Sequence, residues 1–310
     1  MDPPLWAWFA AVGILAVLLA VDLAANRKAG EPTITRALVA SGGWIAASVV
    51  FGIVLGLAQG SAVAQQYFAG YLLEKALSVD NVFVFVLLFG ALAVPARYQH
   101  RVLYYGVIGA LGLRAAFIAA GAALLDHFSW VLYIFGAVLV VAAVRMIRPQ
   151  KEVDPQRSLV MRAVRRVLPV TDGYRGDRFV VREGGRRWAT PLLVALVAIE
   201  ATDIVFATDS IPAVFGVTQD AFVVFTSNAF AVLGLRSLYF VFARAADRFE
   251  YLRYGLAVLL AFIGVKLLIE PVAHLSVVVS LAAIVMVLGV AVLASLWHSR
   301  RPGPVPEGDG

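Results

Sequence analysis

The sequence predicts an all-α membrane protein, a polytopic transmembrane helical bundle of about nine spans that contains two inverted three-helix repeats. Hydrophobic residues make up 61% of the chain and charged residues 15%, a composition too apolar for a soluble protein of 310 residues. The apolar residues form runs of roughly 20, the length that a helix needs to cross the hydrocarbon. Short motifs also recur in two parts of the chain, which indicates an internal repeat.

The apolar runs place the spans at Leu5–Ala25, Ala37–Leu57, Tyr67–Leu88, Val102–Leu124, Trp130–Ile147, Pro191–Phe215, Ala221–Phe242, Tyr254–Ile269 and Leu275–Trp297. The chain then divides into residues 1–60 with the first two spans, 61–147 with the first repeat, a basic cytoplasmic loop at 148–190, the second repeat at 191–270, the final span at 271–298 and a disordered tail at 299–310.

Lysine and arginine residues near the span ends collect on one side of this arrangement, as they do on the cytoplasmic side of membrane proteins. They include Arg27, Lys28, Arg36, Arg97, Arg101, Arg244, Arg248, Arg253, Arg300 and Arg301. Because no basic region precedes the first span, we expect it to stay uncleaved, with the N-terminus outside and the C-terminus in the cytoplasm. The net charge of +6 is therefore an orientation signal, and the expected partner is the lipid bilayer rather than nucleic acid. The oligomeric state is left open.

The basic loop contains two predicted elements. From Pro155 to Leu168, apolar residues share one helical side and arginines the other, which is typical of an interfacial helix or of a solvated linker helix. From Phe179 to Trp188, two short strands flank Gly184-Gly185, which predicts a hairpin.

The repeat is visible in four identical letters. Leu-Gly-Leu-Arg occurs at Leu111–Arg114 and again at Leu233–Arg236, and one span later Arg145 corresponds to Lys266. The unit is three spans long, so the second copy must cross the membrane in the opposite sense. Inverted repeats with a binding site near the midplane are characteristic of many secondary transporters.

Each copy carries an acidic motif in the middle of an apolar segment. Glu74 is followed by Asp80-Asn81, and Asp203 by Asp209-Ser210, with five residues between the two acids in each case. A carboxylate at the bilayer centre costs several kcal/mol, so these acids indicate a functional site. Their donors are all oxygen, the set preferred by Mn²⁺, Ca²⁺ and Mg²⁺. The chain has no cysteine, which excludes thiolate ligands and thiol redox chemistry within it.

Several residues in or near these motifs bear on the ion site, and for some of them a structural role and a functional role are both open. Pro212 predicts a helix break near Thr208–Pro212 that would free carbonyl oxygens for an ion. Arg114 and Arg236 either neutralise the acids in a purely structural ion-pair network or leave surplus negative charge for a cation, because the acids outnumber them. Asn228 either joins two helices or acts as a ligand, and Glu200 is a candidate proton acceptor.

Three stretches resemble the TerC family of integral membrane proteins: Asp80–Val84, Glu200–Ala213 and Asn228–Phe240. Residue 208 is Thr where the family commonly has Val. The resemblance implies a bacterial inner-membrane protein of the LysE transporter superfamily, whose better understood members export manganese. The family takes its name from tellurite-resistance operons, and some members are labelled redox modulators. Carried over residue by residue, the candidate metal ligands are Asp80, Asn81, Asp209, Ser210 and Asn228, and the supporting or proton-coupling residues are Glu74, Glu200, Asp203, Arg114 and Arg236.

We therefore expect a secondary transporter that exports a hard divalent cation, manganese first, in exchange for protons. We expect neither enzymatic activity nor a permanently bound cofactor. The main alternative is a non-transporting membrane component of a tellurite, metal or redox stress-resistance complex. An intramembrane protease would need two acids that share a proton and normally a Gly-x-Gly-Asp signature, which is absent. A retinal-type protein would use Lys266 for its Schiff base. The sequence has no acid one helical turn before Lys266 that would support this alternative.

Overall fold

The computed structural model describes residues 4–26, 33–128, 130–147, 169–242, 252–270 and 275–298. Within these residues the chain is mostly helical, as predicted. The helices are α1 (Leu5–Asn26), α2 (Ile34–Gln59), α3 (Ser61–Ala91), α4 (Ala96–His127), α5 (Val131–Ile147), α6 (Pro191–Phe215), α7 (Ala221–Leu233), α8 (Leu235–Phe242), α9 (Leu252–Ile269) and α10 (Val277–His298). Two strands, β1 (Val180–Glu183) and β2 (Arg186–Ala189), lie between α5 and α6.

The helices make this a multi-pass membrane protein. Six segments of the described chain are long and apolar enough to cross a bilayer: Leu5–Ala24, Ile34–Gln59, Ala96–His127, Pro191–Phe215, Ala221–Val241 and Val277–Ser295. Helix α5 is apolar but shorter. The predicted spans Tyr67–Leu88 and Tyr254–Ile269 fall in α3 and α9, which are helical but are not among the six.

The segment formed by α7 and α8 lies at the centre of the bundle. It is 83% buried along its apolar window, against 17–33% for the other five candidate spans. The segment is interrupted at Gly234, where α7 ends and α8 begins. A Cβ atom at residue 234 would lie 2.6 Å from Lys75 Nζ and 3.3 Å from the Trp44 Cβ, so any side chain there would require the Lys75 ammonium to shift.

The break predicted at Thr208–Pro212 is wrong, because α6 continues without interruption to Phe215. Pro212 lies in the last turn of the helix, where its missing N–H removes only the bond to the Thr208 carbonyl. The turn closes through the Gly216 N–H, which donates to the Pro212 carbonyl at 2.9 Å. The interruption lies in the next span, at the glycine of the repeated Leu-Gly-Leu-Arg motif.

Helices from the two halves of the chain pack against each other in exchanged order. Helix α3 packs against α7, α4 against α6, and α5 most extensively against α9. The α5–α9 contact centres on two glycines: a Cβ on Gly136 would lie 2.9 Å from the Gly264 carbonyl oxygen, and a Cβ on Gly264 would lie 2.8 Å from that of Gly136. The two backbones therefore touch at a reciprocal pair of positions.

The predicted hairpin is confirmed. Strands β1 and β2 pair antiparallel, with Glu183 opposite Arg186. Gly184 and Gly185 connect them with φ angles of 57° and 79°, the left-handed conformation that a two-residue type I′ turn needs at both positions. The hairpin segment is held against α4 by an ion pair between Asp177 and Arg101. The helix predicted from Pro155 to Leu168 and the tail from Pro302 to Gly310 lie outside the described residues.

Candidate functional site

A buried arginine joins both halves of the chain at the centre of the bundle. Arg114 on α4 is 1% exposed. Its Nε and Nη2 donate to Oδ2 and Oδ1 of Asp203 on α6, both at 3.0 Å. Its Nη1 forms an ion pair with Glu74 on α3 and also donates to Oδ1 of Asn228 on α7 at 3.2 Å. Side chains of three other helices thus converge on one guanidinium, and we call Glu74, Arg114, Asp203, Ser210 and Asn228 the central cluster.

Glu74 is bonded to two further side chains as well as to Arg114. Asn228 Nδ2 donates to Glu74 Oε2 at 3.0 Å, and Ser78 Oγ donates to Glu74 Oε1 at 3.4 Å. Ser210 Oγ lies 3.5 Å from Arg114 Nη1. Burial of a charge without partners is expensive, and these bonds explain how a fully buried carboxylate is tolerated at Glu74.

The predicted metal ligands fall into three groups. Ser210 and Asn228 belong to the central cluster. Asn81 is buried on α3, with 2% of its surface exposed, and Asp209 is a partly buried residue whose carboxylate interacts electrostatically with both Glu74 and Arg114. Asp80 lies in α3, but its side chain is outside the described part of the structure.

The five predicted supporting residues do not all lie together. Glu74, Asp203 and Arg114 form the core of the central cluster. Arg236, which the sequence repeat makes the counterpart of Arg114, instead forms an ion pair with Asp22 of α1 at 2.5 Å. Asp22 was not among the predicted site residues. The sequence feature that could have identified Asp22 is its position as an acid in the last turns of the otherwise apolar helix α1.

Glu200 packs against a glycine. A Cβ atom at residue 109 would overlap the Glu200 carboxylate, so Gly109 of α4 provides the space for this acid. The Oε2 atom of Glu200 is buried and has no hydrogen-bond partner among the described residues. Buried polar atoms are nearly always hydrogen-bonded, and among the described residues Glu200 Oε2 shares this exception with one side-chain atom each of Ser41, Tyr71 and Arg101.

Two lysines, partly buried Lys75 and buried Lys266, bind helix ends. Lys75 Nζ donates to the Ala231 carbonyl at 3.1 Å, near the end of α7. Lys266 Nζ donates to the Gly216 carbonyl at 3.0 Å, just after α6, and to Ser280 Oγ at 3.1 Å. The last carbonyls of a helix lack internal donors and carry partial negative charge. Both ammonium groups therefore stabilise helix C-termini inside the bundle.

Among the described residues, no group of three or more His, Cys, Asp and Glu side chains is arranged to hold a metal ion. In the conformation described, the cation between Glu74 and Asp203 is the guanidinium of Arg114. The carboxylates of Glu74 and Asp203 are thus paired with a cation that belongs to the chain itself.

Comparison with known proteins places the chain among integral membrane proteins. The model of the "Integral membrane protein TerC family" matches residues 59–302. "Uncharacterized membrane protein STKORF319" of Myxococcus xanthus is 46% identical over 310 residues, covering 99% of this chain and 96% of that protein. The "Putative membrane-bound redox modulator Alx" proteins of Photorhabdus laumondii and Escherichia coli K12 are each 42% identical, with 96% of both chains covered. No solved structure matches the chain. The chain belongs to the TerC family of integral membrane proteins.

Proposed function

We propose that this protein is a secondary transporter that exports a hard divalent cation across the bacterial inner membrane in exchange for protons, with manganese as the first candidate. The observation that carries the proposal is the central cluster, in which buried oxygens from both halves of the chain surround a cation. Glu74 comes from the first half, Asp203 and Asn228 come from the second, and each is no more than 2% exposed. Charged groups at this depth in a membrane protein are rare and mark ion pathways.

The number of charges favours an ion as the missing partner. Arg114 contributes one positive charge, against carboxylates at Glu74 and Asp203 within the cluster and Asp209 beside it. Asp80, six residues after Glu74 in the sequence, adds a fourth carboxylate to the proposed site. Four carboxylates, against the guanidinium of Arg114 and the ammonium of Lys75 that interacts electrostatically with Glu74, still leave a surplus of negative charge that a divalent cation or protons would reduce. The proposed ligands are Asp80, Asn81, Asp209, Ser210 and Asn228.

The packing of the helices supports an inverted-repeat architecture with nine spans, which is part of the proposal. A two-fold axis that relates two copies makes their contacts reciprocal: if the first helix of one copy meets the second helix of the other, the converse contact also forms. The contacts of α3 with α7 and of α4 with α6 are such a pair, and the contact of α5 with α9 joins the third helices of the two proposed copies. Transporters built this way carry the ion site at the repeat interface, and the central cluster takes residues from both proposed repeats.

Exchange for protons provides the energy in this proposal. Export of a divalent cation against an inside-negative potential costs about 2 × 2.3 kcal/mol per 100 mV, and the sequence carries no Gly-rich nucleotide loop that would bind ATP. Glu200 is the proposed proton carrier, since its buried carboxyl oxygen has no hydrogen-bond partner in the described structure. Neither a resident cofactor nor an enzymatic step is required.

The test is Mn²⁺ flux into or out of proteoliposomes. We expect Asp80→Asn and Asp209→Asn each to reduce the flux at least about tenfold, equivalent to about 1.4 kcal/mol, because each removes one charge from the ion site. Glu183→Gln, which changes a carboxylate that is 45% exposed on the hairpin, should leave the flux unchanged.

Unchanged flux in either aspartate variant removes that residue from the site. Flux that survives complete collapse of the pH gradient contradicts proton exchange. If the wild-type protein moves no Mn²⁺, Ca²⁺ or Mg²⁺ at all, the transporter proposal fails and a non-transporting role in a stress-resistance complex takes its place.

A further inference from the structure

A second buried ion pair lies next to the central cluster. Arg236 on α8 and Asp22 on α1 are 6% and 11% exposed. Arg236 Nη1 also lies 3.4 Å from Nε2 of His100, near the N-terminus of α4. Tyr239 of α8 donates to the neighbouring Gln99 at 2.9 Å. This pair therefore belongs to a polar group at the α4 N-terminal end of the bundle, which we call the peripheral cluster.

A small cavity lies between the two clusters. Its walls are formed by residues of α3, α4, α6 and α8, including Phe85, Val107 and Ala110, and Asp203 and Arg236 are its charged lining residues. Its volume is about 10 Å³, close to the space that one water molecule needs. One residue of the central cluster and one of the peripheral cluster thus line the same small space, whose exposed surface is almost entirely apolar.

Arg236 lies close to the interruption of the central span at Gly234. It lies two residues after the interruption at Gly234, on a helix of 8 residues. Lys75 binds the Ala231 carbonyl on the other side of the interruption, so the end of α7 is held independently of α8. A shift of α8 does not require a break in a continuous helix, which would cost backbone hydrogen bonds in an apolar environment.

We propose that the Asp22–Arg236 ion pair is the gate of the ion pathway on the α4 N-terminal side, and that the cavity behind it is the passage to Asp203. With the pair formed, Arg236 closes the cavity from that side. With the pair separated, the cavity opens to water and the passing ion meets Asp203 first. This inference rests on the proposed transport function for its purpose, but the gate itself is a statement about water access and is tested without transport.

The test uses the absence of cysteine in this chain. Ala110→Cys places a thiol on the cavity wall, and its reaction with a membrane-impermeant methanethiosulfonate reagent is measured in sealed vesicles. We expect Asp22→Asn and Arg236→Gln each to accelerate labelling at least about tenfold, because a state populated at a few per cent or less becomes the major one. The acceleration should occur only from the side on which Glu183→Cys is labelled, since the hairpin packs at that end of α4.

Controls separate gating from general loosening. Ala213→Cys is placed at a residue that is 0% exposed in a different part of the core, and it should stay unreactive in both gate variants. Asp22→Glu, and the exchange of the two charges in Asp22→Arg/Arg236→Asp, should keep labelling of Ala110→Cys slow. Equal labelling rates with and without Asp22→Asn and Arg236→Gln, a parallel rise at Ala213→Cys, or labelling from the opposite side would each overturn the gate. If the wild-type protein shows no Mn²⁺ flux, the proposed function is overturned, whereas the labelling result still decides whether the ion pair controls water access.

Discussion

Replacement of Arg114 by methionine is the sharpest test of the central cluster. Methionine has a long apolar side chain, so the variant removes the charge while it keeps much of the packing. Arg114 donates two bonds of 3.0 Å to Asp203 and forms the ion pair with Glu74. The variant therefore leaves two buried carboxylates without their cation.

The size of the effect follows from burial. Removal of one partner from a buried ion pair costs about 3–5 kcal/mol, because the remaining charge is uncompensated in a low-dielectric environment. For Arg114→Met we expect a loss in this range and a fall in melting temperature of roughly 10 °C, by the scaling for large domains. Most of the loss is the cost of the unpaired carboxylates rather than the strength of the pair, so the neutral triple variant Glu74→Gln/Arg114→Met/Asp203→Asn should recover at least about half of it.

The assay is thermal unfolding of the purified protein in detergent. Arg175→Met is the matched control, because it removes an arginine whose partner Glu183 is on the surface, with the two side chains 46% and 45% exposed; it should melt with the wild type. A single variant that melts at the wild-type temperature, or a triple variant no more stable than the single one, would refute the argument that the cluster is held by charge compensation.

Two further predictions concern contacts that hold the helices together, measured in the same unfolding assay. Lys266→Met should lower stability by about 2 kcal/mol, because a charged donor to the Gly216 carbonyl is lost, whereas Arg145→Met on the exposed side of α5 should have no effect; equal losses in both would contradict the capping role. Gly136→Ala should cost about 1–3 kcal/mol, because the added Cβ would lie 2.9 Å from a backbone oxygen that cannot yield. Gly112→Ala, with no neighbouring atom within 4 Å, should be neutral or slightly stabilising, and a loss there equal to that of Gly136→Ala would contradict the assignment of the Gly136 effect to the α5–α9 contact.

Local features were predicted well from sequence. The hairpin follows from Gly184-Gly185, since two consecutive residues with positive φ leave few alternatives to a tight turn. The helices follow from apolar runs in a chain that must satisfy its backbone hydrogen bonds within the membrane. The residue types of the central cluster, acids and an arginine inside apolar segments, are also evident in the sequence. The side of the membrane on which each end of the chain lies stays a prediction from the distribution of Lys and Arg.

Partner choice was not visible in the sequence. Arg114 and Arg236 occur in the same four-residue motif, yet one joins Glu74 and Asp203 and the other joins Asp22. Likewise, proline is the stronger helix breaker by local chemistry, but Pro212 lies where a helix ends anyway and the interruption occurs at Gly234.

What the sequence by itself determined is therefore which segments are helical and where the hairpin turns, because each depends on interactions within a few residues of the chain. Only the tertiary structure decided which charged residues are buried, which carboxylate faces which arginine, where the central span is interrupted and that Asp203 and Arg236 line one small cavity. Those outcomes depend on the rotation and neighbours of each helix. Both are set by side-chain packing between segments that are far apart in the sequence.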